Sequence, residues 1–346
     1  MKILVTGATG FLGTHIVSRL LQKGITVIGT DKDDFYFQKN LRGEIALCTL
    51  DIREIHSHAQ RFKGVDAVIH CAAALHDSPP ELINAVNLGG TRSVLDLCLM
   101  NNIPKIIFCS STVVYGYFEH APRVTEETTT RPVHPYAISK VKCEEMMLEY
   151  RKKGLNTCIV RPKSFIGAGR LGVFQLLCDW VMRGAKVPVI GNGRNRYQLL
   201  GVSDLAEGFY RIAVLPIENE VINLGTDKFK TVKEDLEGLL AHAHTGSTLL
   251  FLPATPVKIA LSALEKLKLT QMWSWHYKTA DRDSYVDISK AQRLIGWNPL
   301  QSNVDALAET YDWYVANHKE FERRVGLGHH GVLWRERLLK LISTWL

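Results

Sequence analysis

Organised cysteine, long apolar runs and blocks of like charge are all missing from this chain. Its seven cysteines (48, 71, 98, 109, 143, 158 and 178) are odd in number and form no CxxC pair or Cys/His cluster. That indicates neither a disulfide framework nor a zinc site, and it fits reduced thiols in a cytoplasmic protein. No stretch approaches the ~18 uncharged apolar residues needed to cross a bilayer. The first residues, MKILVTG, read directly as a strand and not as a secretion signal, so a mature, non-secreted protein is expected. A formal net charge of +7 suits anionic ligands, but the Lys and Arg residues are spread along the chain, so nucleic acid is not expected as a partner.

A hydrophobic fraction of 46% with 22% charged residues and only 12 prolines describes an ordinary globular chain. Its length of 346 residues is more than one core usually fills, which calls for two domains or one large α/β unit with insertions. Short apolar runs at 3–7, 25–30, 67–73, 106–111 and 156–162 read as strands, and helical periods lie between them near 11–23, 81–101 and 137–152. Strands with no polar alternation are buried on both faces, and the helices supply the crossovers of a parallel sheet. The expected fold class is α/β, a Rossmann-type doubly wound parallel sheet with a smaller, mostly helical C-terminal substrate domain. The dinucleotide-binding part is expected over 1–162, with return strands near 188–224, and the substrate-binding part over 163–187 and 225–318.

Gly7-Ala8-Thr9-Gly10-Phe11-Leu12-Gly13 falls where the first strand turns into the first helix. Lacking Cβ atoms, Gly7 permits the turn, Gly10 admits a pyrophosphate and Gly13 lets the helix press on the strand. The helix start then offers its amides and positive dipole end to an anion. Asp31, at the end of the second strand, accepts hydrogen bonds from ribose hydroxyls and repels a 2′-phosphate, which favours NAD over NADP; Lys32 and Lys39 argue the other way. Asp51-Ile52 follows the third strand, where Asp51 either touches the adenine edge or caps the helix over 52–62.

Tyr136 and Lys140 stand four apart on one helical face. A free phenol titrates near pH ~10, so a fixed ammonium and an oxidised nicotinamide are needed to make it a base near neutrality. It then takes the proton of an alcohol whose hydride leaves for the nicotinamide. Ser111, at the C-terminal end of a predicted strand, is placed to hydrogen-bond the same oxygen.

The glycine loop, His70-Cys71-Ala72-Ala73, Ser110–Gly116 (SSTVVYG), Tyr136–Lys140, Arg161-Pro162 and Val202–Leu205 (VSDL) together resemble the extended short-chain dehydrogenase/reductase family from residue 1 to about 318. The resemblance implies that Ser111 is the catalytic Ser/Thr, Tyr136 the acid/base and Lys140 a ligand of the nicotinamide ribose. It also implies that Ala72 and Ala73 line the cofactor and that Pro162 lies against the nicotinamide. The family includes nucleotide-sugar epimerases, dehydratases, reductases and 3β-hydroxysteroid dehydrogenases. Dehydratases carry Asp-Glu where this chain has Thr112 and Val113, which speaks against water loss. Many nucleotide-sugar enzymes carry Asn where this chain has Ser164, although Lys163, Arg170, Arg194 and Arg196 supply other cations for a diphosphate. Thr112, Ser164, Arg170 and Arg196 are therefore the candidate substrate contacts.

Trp273, Trp275, His276 and Tyr277 crowd one segment, either as core or as the wall of a pocket. Residues 332–346 form an amphipathic stripe that suits intramolecular docking, a homodimer contact or a peripheral membrane surface. The paired His329 and His330 have no further ligands nearby, so no metal is expected. The expected activity is NAD-dependent epimerisation of a nucleotide sugar at the Ser/Tyr/Lys site of an enzyme expected to be a homodimer. The alternative is a steroid-dehydrogenase-like oxidoreductase acting on an apolar alcohol or ketone.

Overall fold

The computed structural model describes residues 1–32, 41, 43–117, 124–170, 172–267 and 274–323. Lys39, Trp273, the paired His329 and His330 and the 332–346 stripe lie outside the described residues. The strands are β1 (Lys2–Thr6), β2 (Thr26–Asp31), β3 (Ala46–Thr49), β4 (Ala67–His70), β5 (Lys105–Cys109), β6 (Asn156–Pro162), β7 (Phe165–Ile166), β8 (Val187–Ile190), β9 (Leu200–Gly201), β10 (Val221–Leu224) and β11 (Leu249–Leu252). Seven of them form one all-parallel sheet in the order β3-β2-β1-β4-β5-β6-β10. The pairs β8/β11 and β7/β9 stand apart from it.

The helices are α1 (Phe11–Gln22), α2 (Pro80–Ile83), α3 (Gly90–Met100), α4 (Pro135–Arg151), α5 (Val173–Met182), α6 (Val202–Val214), α7 (Val232–Ala243), α8 (Ala254–Lys266), α9 (Ser274–Lys278), α10 (Ser289–Ile295) and α11 (Asn303–Arg323). The unalternating strands are explained by the two layers that cover them. Along β1, Ile3 and Val5 face a core shared with α1 and α6, while Leu4 faces another built with α3, α4 and the 3₁₀ turns of Ile52–Phe62. A third core lies in the C-terminal half, where α5, α7 and α11 meet.

Two helices differ from their sequence expectation, and each difference serves the site. The helical period over 81–101 is broken into α2, a π-helical stretch at Asn84–Gly89 and α3. The extra residue per turn carries Asn87 inward, where it bonds both backbone groups of Ala74 and the Ser139 hydroxyl (2.7, 3.1 and 2.9 Å). Helix α4 starts at Pro135, because the His134 side chain caps it, with Nδ1 accepting from the Ala137 amide at 3.2 Å, and proline suits the first helical position.

Candidate active site

The turn from β1 into α1 shows why glycine is required there. Gly7 has φ +70°, and a Cβ on it would stand 2.8 Å from the Ala72 nitrogen. A Cβ on Gly13 would stand 1.9 Å from the Gly7 carbonyl oxygen, so alanine there would force α1 off β1. Gly10 precedes α1 with no side chain capping it, so the opening amides of the helix face a cavity unblocked. This cradle fits a dinucleotide pyrophosphate. At its rim Asp31 accepts from the Thr9 and Lys32 amides at 3.1 and 2.8 Å. Asp51 caps the turn after β3 through the Arg53 amide (2.9 Å) and pairs with the Arg53 guanidinium (2.6 Å), which holds its carboxyl below the usual range. The N-cap reading of Asp51 is thus realised, and the residue lines the cavity as well.

That cavity, of about 1050 Å³, is continuous from the glycine loop to the C-terminal half. Its wall includes Gly7, Gly10, Phe11, Leu12, Gly13, Asp31, Asp51, Ile52, Ala72, Ala73 and Pro162. Ser111, Thr112, Tyr136, Lys140, Ser164 and Arg170 line it too. Arg196 does not share this wall. Its guanidinium pairs near the surface with Asp283 at 2.9 Å and donates to the Tyr285 hydroxyl at 2.7 Å.

Helix α4 presents Tyr136 and Lys140 to this wall from one face. Lys140 is buried, and its Nζ donates to the Cys109 carbonyl at the end of β5 (2.7 Å) and lies 5.6 Å from the Tyr136 ring centre. Burial pushes the Tyr136 phenol up, against the pull of Lys140 and Arg170. Burial opposes the Lys140 charge, but the surrounding Tyr136, Cys109, Cys143 and Cys71 groups carry the net direction upward. The protein alone therefore keeps Tyr136 as a phenol and Lys140 as an ammonium. Ser111 caps the short turn at Thr112–Tyr115, its Oγ accepting from the Val113 amide at 3.3 Å. The Thr112 hydroxyl is spent on the Pro162 carbonyl at 3.2 Å.

Sequence reading missed two histidines against the phenol, His134 and His76, and the contact of His76 with His276. The His134 ring stacks parallel to Tyr136 (6.2 Å, 7°), and His76 meets it edge-on at 6.4 Å and meets His276 at 6.1 Å. Burial lowers His134 and His276 to about 4, so both rings are neutral at pH 7. The one available signal was His134-Pro135 ahead of the helix, and histidine is not a preferred cap. The C-terminal aromatic cluster divides between its two readings. Trp275 and His276 line the cavity, while Tyr277 turns away to donate to Glu265 at 2.5 Å.

Known proteins resemble this chain in sequence and fold. A model of the family described as NAD dependent epimerase/dehydratase matches residues 3–225. An uncharacterized protein of Sinorhizobium fredii is 34% identical, covering 98% of this chain and 85% of its own length. A putative UDP-glucose 4-epimerase of Methanocaldococcus jannaschii is 27% identical, covering 92% and 99% respectively. The crystal structure of a UDP-glucose 4-epimerase from Thermotoga maritima with UDP-glucose has the same fold, with a TM-score of 0.76 at 24% identity over 92% of this chain and all (100%) of that one. The glycine cradle, the Ser/Tyr/Lys wall and these matches agree: this chain is an enzyme of the NAD-dependent epimerase/dehydratase family, in the extended branch of the short-chain dehydrogenase/reductases.

Proposed function

We propose that this enzyme is an epimerase of a nucleotide-activated sugar that oxidises and then re-reduces one secondary alcohol. The observation that carries the reading is the convergence of Ser111, Tyr136 and Lys140 on a cavity continuous with the dinucleotide cradle. At about 1050 Å³ that cavity has room for a cofactor and a second molecule. The first turn of α1 and the Gly7–Gly13 loop hold the pyrophosphate, Asp31 the adenosine ribose, Lys140 the nicotinamide ribose, and Ala72, Ala73 and Pro162 the ring beside it. Bound NAD supplies a reversible hydride acceptor.

The remaining work falls to side chains. Ser111 donates to the substrate oxygen and keeps it near the phenol. Tyr136 removes the hydroxyl proton on oxidation and returns it on reduction, so no proton is consumed over the cycle. Lys140 favours the phenolate while that proton is held. His76 and His134 pack against the phenol, with Trp275 edge-on to His134, and keep water from the keto intermediate.

Incubation with UDP- and dTDP-hexoses, without added nucleotide, tests the proposal. Interconversion of epimers is the expected result. The aliphatic side of the cavity favours a second reading, net oxidation of an apolar alcohol, and substrate-dependent build-up of NADH with such alcohols would decide for it.

A further inference from the structure

Of the seven cysteines, only Cys71 and Cys109 line the cavity. Cys71 directly follows β4 and Cys109 closes β5. The register of these two strands sets His70 beside Phe108, so Cys71 and Cys109 are the next pair along it. Both chains keep their places in the sheet up to this point, with the Cys71 amide donating to the Thr6 carbonyl at 3.1 Å and the Ser110 amide to the Val160 carbonyl at 2.8 Å. Side chains alternate along a strand, which puts both thiols on the face of Ile69 and Ile107. Cys109 is part of that core and Cys71 packs against it.

The two thiols meet there and share a hydrogen bond. Neighbouring strands run about 4.8 Å apart, within the Cα separations of about 4.4–6.8 Å that a disulfide spans. The hydrogen bond from Cys71 pulls the Cys109 thiol below its ordinary range, against burial and with help from the Lys140 charge. The same bond and burial push Cys71 well up. Cys109 is therefore the better nucleophile, and Cys71 keeps its proton until its partner has reacted.

The pair also touches two supports of the dinucleotide site. The peptide joining Cys71 to Ala72 lies so close to the cradle that a Cβ on Gly7 would stand 2.8 Å from the Ala72 nitrogen and 3.0 Å from the Cys71 carbonyl carbon. The Cys109 carbonyl holds the Lys140 Nζ at 2.7 Å. A bond between the sulfurs pulls on both supports at once, and a dinucleotide lying along Ala72 and Lys140 covers the sulfurs.

We propose that Cys71 and Cys109 form a modification site for small disulfides, open only while the cradle is empty, and that the disulfide they form hinders NAD binding. The Cys109 thiolate attacks one sulfur of a compound such as oxidised glutathione, which gives a mixed disulfide and expels one glutathione thiolate. Cys71 then loses its proton and attacks the Cys109 sulfur, releasing the second glutathione. Two protein thiols are oxidised, one small disulfide is reduced, and the two cysteine protons pass through solvent to the two glutathione thiolates. The inference rests on NAD occupying the cradle and is independent of the sugar.

The test treats the full chain with oxidised glutathione, either stripped of dinucleotide or saturated with NAD, and maps the peptides by mass spectrometry. The stripped protein should yield a peptide cross-linked between Cys71 and Cys109, and saturating NAD should slow its formation at least about tenfold. After removal of the reagent, the oxidised protein should bind NAD at least about tenfold more weakly than the reduced one, and dithiothreitol should restore the affinity. Cys71→Ser should stop at a glutathione adduct on Cys109. Cys109→Ser should keep its NAD affinity through the treatment. Before treatment, NAD affinity within a few-fold of wild type checks the fold of each variant, and the wild-type measurements decide without either. Absence of the cross-linked peptide overturns the proposal, as does a rate of cross-linking indifferent to NAD or an oxidised protein that binds NAD as the reduced one does. No turnover is required, so a failure of epimerisation leaves these readouts intact.

Discussion

Tyr136→Phe is expected to lower turnover about 10²- to 10⁴-fold on any substrate the wild type converts, the range for losing a positioned acid/base. The ring stays, so its packing against His134 and His76 is retained and the fold should be unchanged. Only the hydroxyl is lost. Dinucleotide affinity should remain within a few-fold of wild type, because the glycine loop, Asp31 and Lys140 are intact. The kcat and KM of the variant, with a dinucleotide titration, check both halves. A variant that turns over at the wild-type rate contradicts the role given to the phenol.

The largest stability effect is expected at Glu144. Its carboxylate receives Nε and Nη2 of Arg161 at 3.0 and 2.6 Å, and Ser110 donates to it as well. Arg161 in turn donates to the Tyr115 hydroxyl at 2.9 Å, which itself donates to Asn223 at 2.8 Å. Both ion-pair partners are over nine-tenths buried, at 8% and 7% side-chain exposure, so removing one strands the other's charge in a low-dielectric interior. Glu144→Ala should cost about 3–5 kcal/mol, read from the denaturant midpoint. The double variant Glu144→Ala, Arg161→Met should recover much of that loss, since it strands no charge. A loss below about 1 kcal/mol in the single variant would mean that the pair is solvated. The pair ties α4 to β6, and so fixes the helix that presents Tyr136 to the strand whose end is Pro162.

The parts legible in the sequence are those whose geometry is local. A glycine loop between a strand and a helix reports its own backbone requirement, and residues four apart on a helix share a face whatever the rest of the chain does. Gly7, Gly13, Tyr136 and Lys140 therefore needed no tertiary information. The strand-end position of Ser111 follows from the same reasoning applied to β5.

What stayed hidden depends on distant segments meeting. Asn87, on a π-helical stretch, holds the backbone of Ala74, which lines the cavity, and bonds the Ser139 hydroxyl of α4. His76 is not marked by its neighbours, and its contact with His276 joins segments 200 residues apart. The pairing of Arg196 with Asp283 was equally hidden, because the two stand 87 residues apart. The cavity-facing side of α5 escaped notice because Phe174, Leu177 and Trp180 follow an ordinary amphipathic period, which does not reveal that part of this face borders a cavity.

The central claim is that two positive charges, the Lys140 ammonium and the oxidised nicotinamide, turn a phenol held high by burial into a base. It is tested without any substrate by following the ring-labelled Tyr136 carbon by NMR against pH, assigned with Tyr136→Phe. Without dinucleotide the resonance should titrate at higher pH than that of an exposed tyrosine, because burial raises the phenol's pKa. Saturating NAD⁺ should move the transition down by more than one pH unit, about 1.4 kcal/mol of differential interaction, and Lys140→Met should reverse much of that shift. A midpoint indifferent to NAD⁺ and to residue 140 would contradict the account.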